Sequence, residues 1–177
     1  MKTLILSPLF PPDVGDPADY VKELASRLPS VDTTLLVYGY LPETVVGVTI
    51  KTVDKRQLLL FRLTNYTVSL FKASKNAELI IINNAPSTEL PALIVSLFYT
   101  KPMLLCTSDP LAAKVSGRGF YGFVHMLLRR RCKKVISLAT DQRYKKAEVL
   151  PFATFDDARE AAREVWWQKH LLDIQSL

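Results

Sequence analysis

The sequence contains few residues of the kinds that form disulfides or bind metals. Only two of its 177 residues are cysteines, Cys106 and Cys132, and only two are histidines, His125 and His170. Two cysteines cannot form a disulfide framework, and we expect both to be reduced thiols. No Cys/His cluster has metal-ligand spacing, and each histidine falls in a helical pattern. The sequence therefore predicts no metal site and assigns both histidines to packing or to the surface.

Long hydrophobic runs are also missing, and so is the P-loop motif. No stretch offers about 20 consecutive apolar residues, the length that a helix needs to cross a bilayer. The first ten residues, MKTLILSPLF, are interrupted by Pro8 too early to be a secretory signal, so we expect a cytoplasmic protein. G-x-x-x-x-G-K-[ST] does not occur, and G-x-G-x-x-G occurs once, as GRGFYG over 117–122. This stretch does not directly follow a predicted strand, as the dinucleotide fingerprint requires, so the sequence predicts no NAD or ATP site of the usual kind. No cofactor is predicted.

The net charge of the whole chain is +6, and acidic residues are nearly absent from one part of it. Residues 110–146 contain ten Lys or Arg and one acidic residue, Asp141. Residues 147–177 contain six acidic and three basic residues. A basic region suits phosphate groups, whether on nucleic acid, anionic lipid or a nucleotide-linked substrate.

Short apolar runs alternate with longer helical patterns along the chain. The pattern predicts strands over 3–7, 33–38, 48–53, 78–82, 102–106 and 134–138. It predicts helices over 17–28, 57–74, 87–99, 121–132 and 155–174. Strands that are apolar throughout and alternate with helices indicate a doubly wound, mostly parallel, Rossmann-like sheet in one α/β domain over 1–177.

In such folds ligands bind beyond the carboxyl ends of the strands, so the loops there are the candidate site. The first loop, FPPDVGDPADY, begins at Phe10; in it Gly15 can approach a ligand, and Asp16 is expected to be the N-cap of the following helix. Asp109 is the best candidate for a general base, with a turn or N-cap as its alternative role. The residues expected to bind the ligand are Gly15, Asp16, Asn83, Asn84, Ser87, Thr107 and Ser108. For the two asparagines a simple Asx turn is the alternative, and Ser87 is also the expected cap of helix 87–99.

A basic run closes the helix predicted over 121–132. It consists of Arg129, Arg130, Arg131, Lys133 and Lys134. Cations favour a helix C-terminus, but five in six residues exceed what a cap needs. Together with LLLF (58–61) and GRGFYGF (117–123), the run suggests contact with an anionic membrane surface. A solvated basic face is the alternative, and no nucleic-acid-binding motif occurs.

The segments FPPDVGDPADYVKELASRL, TTLLVYG and GVTIKTVDK resemble the N-terminal domain of family 4 glycosyltransferases of the GT-B type. These enzymes commonly begin with a strand, then PPxxGGxxxYVxxLAxxL, then a second strand. AELIIINNAPS, KPMLLCTSDP and CKKVISLATDQRY fit the later segments more weakly. The resemblance covers residues 1 to about 152. Gly15 keeps one of the usual two glycines and Asp16 replaces the other. The family often has His where this chain has Thr107, Ser108 and Asp109, of which only Asp109 could act as a base.

The resemblance implies a glycosyltransferase that is incomplete by itself. GT-B enzymes have a second Rossmann-like domain that binds most of the nucleotide sugar, and nothing in this sequence encodes it. Residues 155–174, with Trp166 and Trp167, resemble the closing helix that crosses back onto the N-terminal domain. The resemblance thus implies the acceptor-binding half of a retaining transferase. Its donor-binding partner would be a separate subunit or a second copy, and its acceptor a sugar or a lipid-linked sugar at the inner face of the membrane.

Two other functions stay open. The domain could be a non-catalytic module that binds a glycan, a nucleotide or an anionic surface. Two features favour this hypothesis: the missing donor domain, and Asp16 in place of the family's second glycine. A nucleic-acid binder is a weaker third reading, because only the charge supports it.

Overall fold

A computed structural model describes residues 1–13, 15–29, 32–116, 118–137 and 157–176. The strands are β1 (Thr3–Ser7), β2 (Thr33–Tyr38), β3 (Thr49–Val53), β4 (Leu79–Asn83), β5 (Met103–Thr107) and β6 (Lys134–Ser137). The helices are α1 (Asp16–Arg27), α2 (Leu59–Ser74), α3 (Pro86–Ser96), α4 (Pro110–Ser116), α5 (Gly119–Arg131) and α6 (Asp157–Gln175). None of these helices combines the length and hydrophobicity needed to cross a bilayer.

The six strands form one sheet in the order β3-β2-β1-β4-β5-β6, and every neighbouring pair is parallel. β1, β4 and β5 are buried along their whole length, which explains why they are mainly apolar, with a polar residue at each carboxyl end. The predicted Rossmann-like α/β fold is confirmed. The strand order reverses between β1 and β4, so their carboxyl ends form the topological switch point of the sheet.

Two hydrophobic cores lie on the two faces of the sheet. Successive side chains of a strand point to opposite faces, so Ile5 packs with α1 and α6 while its neighbours Leu4 and Leu6 pack with α2 and α5. Tyr20 of α1 and Trp167 of α6 belong to the first core. The helix predicted at the end of the chain therefore covers the same face as the first helix.

The first helix begins differently from the prediction. Its apolar face is buried as predicted, but the N-cap is Gly15, and Asp16 is the first helical residue. The Gly15 carbonyl accepts hydrogen bonds from the backbone N–H of Ala18 (2.9 Å) and Asp19 (3.3 Å). Gly15 has φ 136° and ψ 153°, a conformation that essentially only glycine adopts. The prediction that Asp16 is the cap is therefore wrong; its side chain lies outside the described residues.

The helix after β4 also lacks the predicted cap. It begins at Pro86, its N-cap is Ala85, and no side chain caps it, so the capping role predicted for Ser87 is wrong. Proline is suited to a first helical position because it needs no N–H partner there. Helix α4 was not predicted, and the ends predicted for the sixth strand (138) and the last helix (155–156) lie outside the described residues.

Candidate functional site

The carboxyl ends of β1, β4 and β5 bring polar side chains together at the switch point. Leu6 pairs with Ile82 and Asn83 pairs with Cys106 in the register of the sheet. Ser7 and Asn83, the last residues of their strands, therefore lie side by side. The loop after β5 lies next to them. This is the edge at which the sequence places the candidate site.

A chain of hydrogen bonds crosses these three strands. The hydroxyl of Ser108 donates to Oδ1 of Asn83 at 2.5 Å. Nδ2 of Asn83 lies 3.4 Å from the Ser7 hydroxyl, which in turn donates to the Leu9 carbonyl at 2.6 Å. Asn83 is buried, so these contacts fix the orientation of its amide. The consequence is that the hydroxyl of Ser108 is held at one place at the edge of the sheet.

Asn84 clamps the loop that follows β5. Its Oδ1 accepts hydrogen bonds from the backbone N–H of Ser108 (2.8 Å) and Asp109 (3.0 Å). Its Nδ2 donates to the Asp109 carbonyl at 3.0 Å. The side chain is buried, and both of its polar atoms are used on backbone groups. Asn84 thus positions the loop, and these long-range bonds are not those of the Asx turn given as its alternative.

Asp109 caps α4. Its Oδ1 accepts hydrogen bonds from the backbone N–H of Leu111 (2.8 Å) and Ala112 (3.1 Å), the pattern of an N-cap. The residue is half-buried. This carboxylate therefore has the structural role that the sequence left open as an alternative. Its role as a base stays a prediction.

The first loop is anchored at both ends. Phe10 is buried in the core, and its backbone N–H donates to Oδ2 of Asp13 at 3.3 Å. Asp13 also forms an ion pair with Lys55, which follows β3. Gly15 has its unusual backbone conformation just before α1. These contacts anchor the segment before Gly15 at the carboxyl edge, and the approach of Gly15 to a ligand stays a prediction.

Ser87 and Thr107 occupy different environments. Ser87 is half-buried in the first turn of α3, and its carbonyl accepts a hydrogen bond from the Tyr38 hydroxyl at 2.9 Å. Thr107 is buried, and its hydroxyl lies 3.4 Å from the Ile136 carbonyl. The predicted residues thus separate into two groups. Asn83, Asn84 and Thr107 are buried supports, whereas Gly15, Ser87, Ser108 and Asp109 are partly exposed.

Two further polar contacts were missed by the sequence reasoning. Oε2 of Glu89 in α3 lies 2.9 Å from Nδ1 of His125 in α5, with the carboxylate buried. The hydroxyl of Thr88 donates to the Asn83 carbonyl at 2.7 Å and supports the end of β4. The Glu89–His125 pairing has no signal in the sequence, because the two residues lie on helices whose contact depends on the fold.

The predicted basic residues do not all lie on one surface. Arg129, Arg130, Arg131 and Lys133 are exposed at the end of α5, and Nη1 of Arg131 donates to the Ser96 carbonyl at 2.9 Å. Nζ of Lys134 instead lies 2.8 Å from Oδ1 of Asp173 in α6. Lys134 belongs to a strand next to the α6 side of the sheet, so it helps to dock α6.

The structure offers no metal site among the residues it describes. A groove of about 700 Å³ lies between α1, residues 44–46 and Arg163 of α6, but none of the predicted ligand-binding residues lines it. No model of a known protein family matches the chain, and no curated protein does. What the architecture establishes is a Rossmann-like parallel α/β domain.

Proposed function

We propose that the chain is the acceptor-binding half of a GT-B glycosyltransferase and that a separate donor-binding partner or a second copy completes it. The observation that carries the proposal is the polar network at the switch point between β1 and β4. Ligands of doubly wound sheets bind at this position. Here the network holds the hydroxyl of Ser108 and the backbone of Asp109, which are consecutive residues at the open edge. Hydroxyl and carboxylate groups are suited to orient the hydroxyls of a sugar.

Each residue of the site has a role in this proposal. The Gly15 backbone faces the diphosphate of a nucleotide sugar, and Asp16 contributes to orienting the acceptor. Asn83 and Asn84 act through the loop that they hold, with Ser87, Thr107 and Ser108 completing the acceptor pocket. Asp109 takes the proton from the acceptor hydroxyl.

The position of α6 supports the same proposal. α6 packs on α1 through Trp167, which stacks on Tyr20 with ring centroids 5.6 Å apart. Arg27 of α1 binds Glu164 of α6 with 2.7 Å between Nη2 and Oε2. A last helix that returns to the face of the first is the arrangement implied by the resemblance to GT-B enzymes. The partner would then dock at the carboxyl edge with its nucleotide sugar.

The first test is sugar binding, which needs no partner. Amide resonances of the chain are followed by NMR while neutral sugars and, separately, nucleoside diphosphates are added. We expect saturable shifts at Ser87, Ser108 and Leu111 with an acceptor sugar and no shift in α6. An absence of saturable shifts at the carboxyl edge with any sugar contradicts the proposal.

The second test separates catalysis from capping. Asp109→Asn retains a side-chain oxygen that caps α4, because asparagine is as good an N-cap as aspartate, but it removes the base. The variant is compared with Asp109→Ala after the chain is purified from its own cells with whatever subunit travels with it. We expect Asp109→Asn to keep the thermal midpoint and to lose turnover of a nucleotide sugar. Unchanged turnover contradicts the role of Asp109.

A non-catalytic binding module is the second candidate. The structural use of Asp109 Oδ1 as the cap of α4 favours it, because a carboxylate engaged in this way is less available as a base. Sugar binding without turnover in any reconstituted pair would support this function. Affinity that ignores sugars and falls steeply with salt would instead indicate a nucleic-acid binder.

A further inference from the structure

The outer surface of α5 is apolar in its first half and basic at its end. Phe120, Phe123 and Met126 are 65%, 55% and 41% exposed, which is unusual for side chains of this size. Residues three, four and seven apart share one face of a helix, so Phe123, Met126 and Arg130 form one stripe. We call this surface the α5 face; it consists of Phe120, Phe123, Met126, Arg129 and Arg130.

Neighbouring elements extend the apolar part of the α5 face. Leu111 and Val115 of α4 are 71% and 52% exposed, and α4 contacts α5. Leu97 and Phe98, just after α3, are also exposed. The bond from Arg131 to the Ser96 carbonyl ties this end of α3 to the end of α5, so Leu97 and Phe98 lie beside the basic end of α5 and not beside its apolar half. Exposed apolar residues on adjoining elements of this kind mark an interaction surface.

The charged residues described around the α5 face are mostly basic. Lys114, Arg118 and Lys133 are exposed on the segments that flank it. Residues 91–137 contain eight basic residues and one acidic residue, Asp109, whose carboxylate caps α4. The charged residues in this part of the sequence are therefore predominantly basic.

We propose that the α5 face docks on an anionic lipid membrane. Its apolar side chains enter the boundary between headgroups and acyl chains, and its arginines contact lipid phosphates. A second copy of the chain fits less well, because joining two such faces would bring like charges together. Nucleic acid would match the charge but would leave Leu111, Val115 and Met126 against a polar partner. The proposal does not depend on what the carboxyl edge of the sheet binds.

Vesicle flotation tests the proposal with the whole chain. Vesicles of phosphatidylcholine alone are compared with vesicles that contain about one third phosphatidylglycerol, at physiological salt. Arg129→Gln with Arg130→Gln is compared with Lys2→Gln and Lys51→Gln, a pair of exposed lysines outside the α5 face that lowers the net charge equally. We expect the arginine variant to bind anionic vesicles about 30-fold more weakly, because each basic residue near the surface strengthens binding roughly fivefold. The lysine variant should bind like the native chain.

The apolar part is tested by Phe120→Ser with Phe123→Ser, matched by Leu41→Ser with Val46→Ser on an exposed loop outside the face. Circular dichroism confirms that each variant is folded. We expect loss of vesicle binding only for the phenylalanine variant. Three results overturn the proposal. They are no binding to anionic vesicles, binding to a single-stranded oligonucleotide that competes fully with the vesicles, and a dimer in solution that the phenylalanine variant dissociates.

Discussion

The hydroxyl of Tyr20 lies 2.8 Å from Nε2 of His170, so a buried hydrogen bond joins α1 to α6 across 150 positions of sequence. The Tyr20 hydroxyl also approaches Sγ of Cys106 at 3.6 Å. Trp166 stacks on the other side of the imidazole, with ring centroids 4.5 Å apart. The imidazole is thus enclosed between two helices and a strand, which makes the attachment of α6 sensitive to protonation.

We predict that acidification destabilises the folded chain because His170 becomes protonated. Burial lowers its pKa from 6.5 to about 4, with Asp173 opposing the shift and Lys134 adding to it. The unfolded chain therefore binds more protons than the folded chain between pH 6.5 and 4, and the free energy of unfolding decreases as the pH falls through this window. The loss from His170 between pH 7 and 5 is about 2 kcal/mol.

The measurement is urea unfolding at pH 7 and pH 5 for the native chain and for His170→Gln, which does not titrate. Carboxylates such as Asp173, whose pKa is lowered mainly by its hydrogen bond with Lys134, are ionised at both pH values and therefore change stability little between them. Each protein loses some free energy of unfolding between pH 7 and pH 5, and the difference between the two losses is the contribution of His170. Parallel curves would contradict the prediction.

Truncating Trp167 is predicted to destabilise the chain far more than truncating its neighbour. Trp167 is fully buried, stacks on Tyr20, and has the Arg27 guanidinium 5.1 Å from its ring centroid. Trp167→Ala should reduce the free energy of unfolding by about 3–5 kcal/mol because it leaves a large cavity. Trp166→Ala, at a half-buried position, should cost clearly less. Urea unfolding measures both, and limited proteolysis shows whether α6 is released first. Equal costs at the two positions would be evidence against this packing.

Glycine is predicted to be required at position 15 because of its backbone conformation, and not because a Cβ would lack room there. A Cβ built on Gly15 would meet nothing closer than Cδ of Pro17 at 3.6 Å, an ordinary contact. Its φ of 136° is nevertheless strained for any L side chain, so Gly15→Ala should cost about 1–3 kcal/mol in urea unfolding. Gly39→Ala is the control, since a Cβ there meets nothing within 4 Å and its φ is not in that region. It should be neutral or slightly stabilising. Equal behaviour of the two variants would show that the loop relaxes around Gly15.

Much of the fold could be predicted because its signals are local. The strand over 3–7 was predicted with its observed ends, since a strand buried on both faces is a short apolar run with polar residues after it. Helix α4 was missed because its seven residues are too few to show a helical period. The caps predicted at Asp16 and Ser87 were wrong, because neither helix has a side-chain cap. Helix α1 follows Gly15 in its unusual conformation, and α3 begins at Pro86.

The location of the site could be predicted from the sequence, but most of its hydrogen bonds could not. Parallel strands put their carboxyl ends at one edge, so the sequence could locate Asn83, Ser108 and Asp109 there. It could not show that the side-chain amide of Asn84 forms hydrogen bonds with backbone groups 24 and 25 residues away. Contacts of this kind depend on the order of the strands, which the pattern of one sequence does not specify.

Both thiols are predicted to be unreactive in the folded chain. Cys106 and Cys132 are free, and burial raises the pKa of each to about 12. At pH 8 the thiolate fraction is then on the order of one in ten thousand, compared with about one quarter for an exposed cysteine. An aromatic disulfide reagent should label the native chain at least about 100-fold more slowly than the chain in denaturant. Rapid labelling of one thiol per chain would contradict the burial of that cysteine.

Asn84 is predicted to hold the loop after β5, and its removal should loosen that loop before it unfolds the domain. Asn84→Ala leaves the backbone N–H groups of Ser108 and Asp109 without their acceptor, which costs about 1–3 kcal/mol when such groups are buried. Asn76→Ala is the matched control, because Asn76 is exposed in a turn after α2 and should change stability by less than about 0.5 kcal/mol. Hydrogen exchange then locates the effect. Amides of 108–112 should lose protection in Asn84→Ala while those of β1 and β4 keep it. Unchanged exchange at 108–112 would mean that the loop is held by the capping bonds of Asp109 alone.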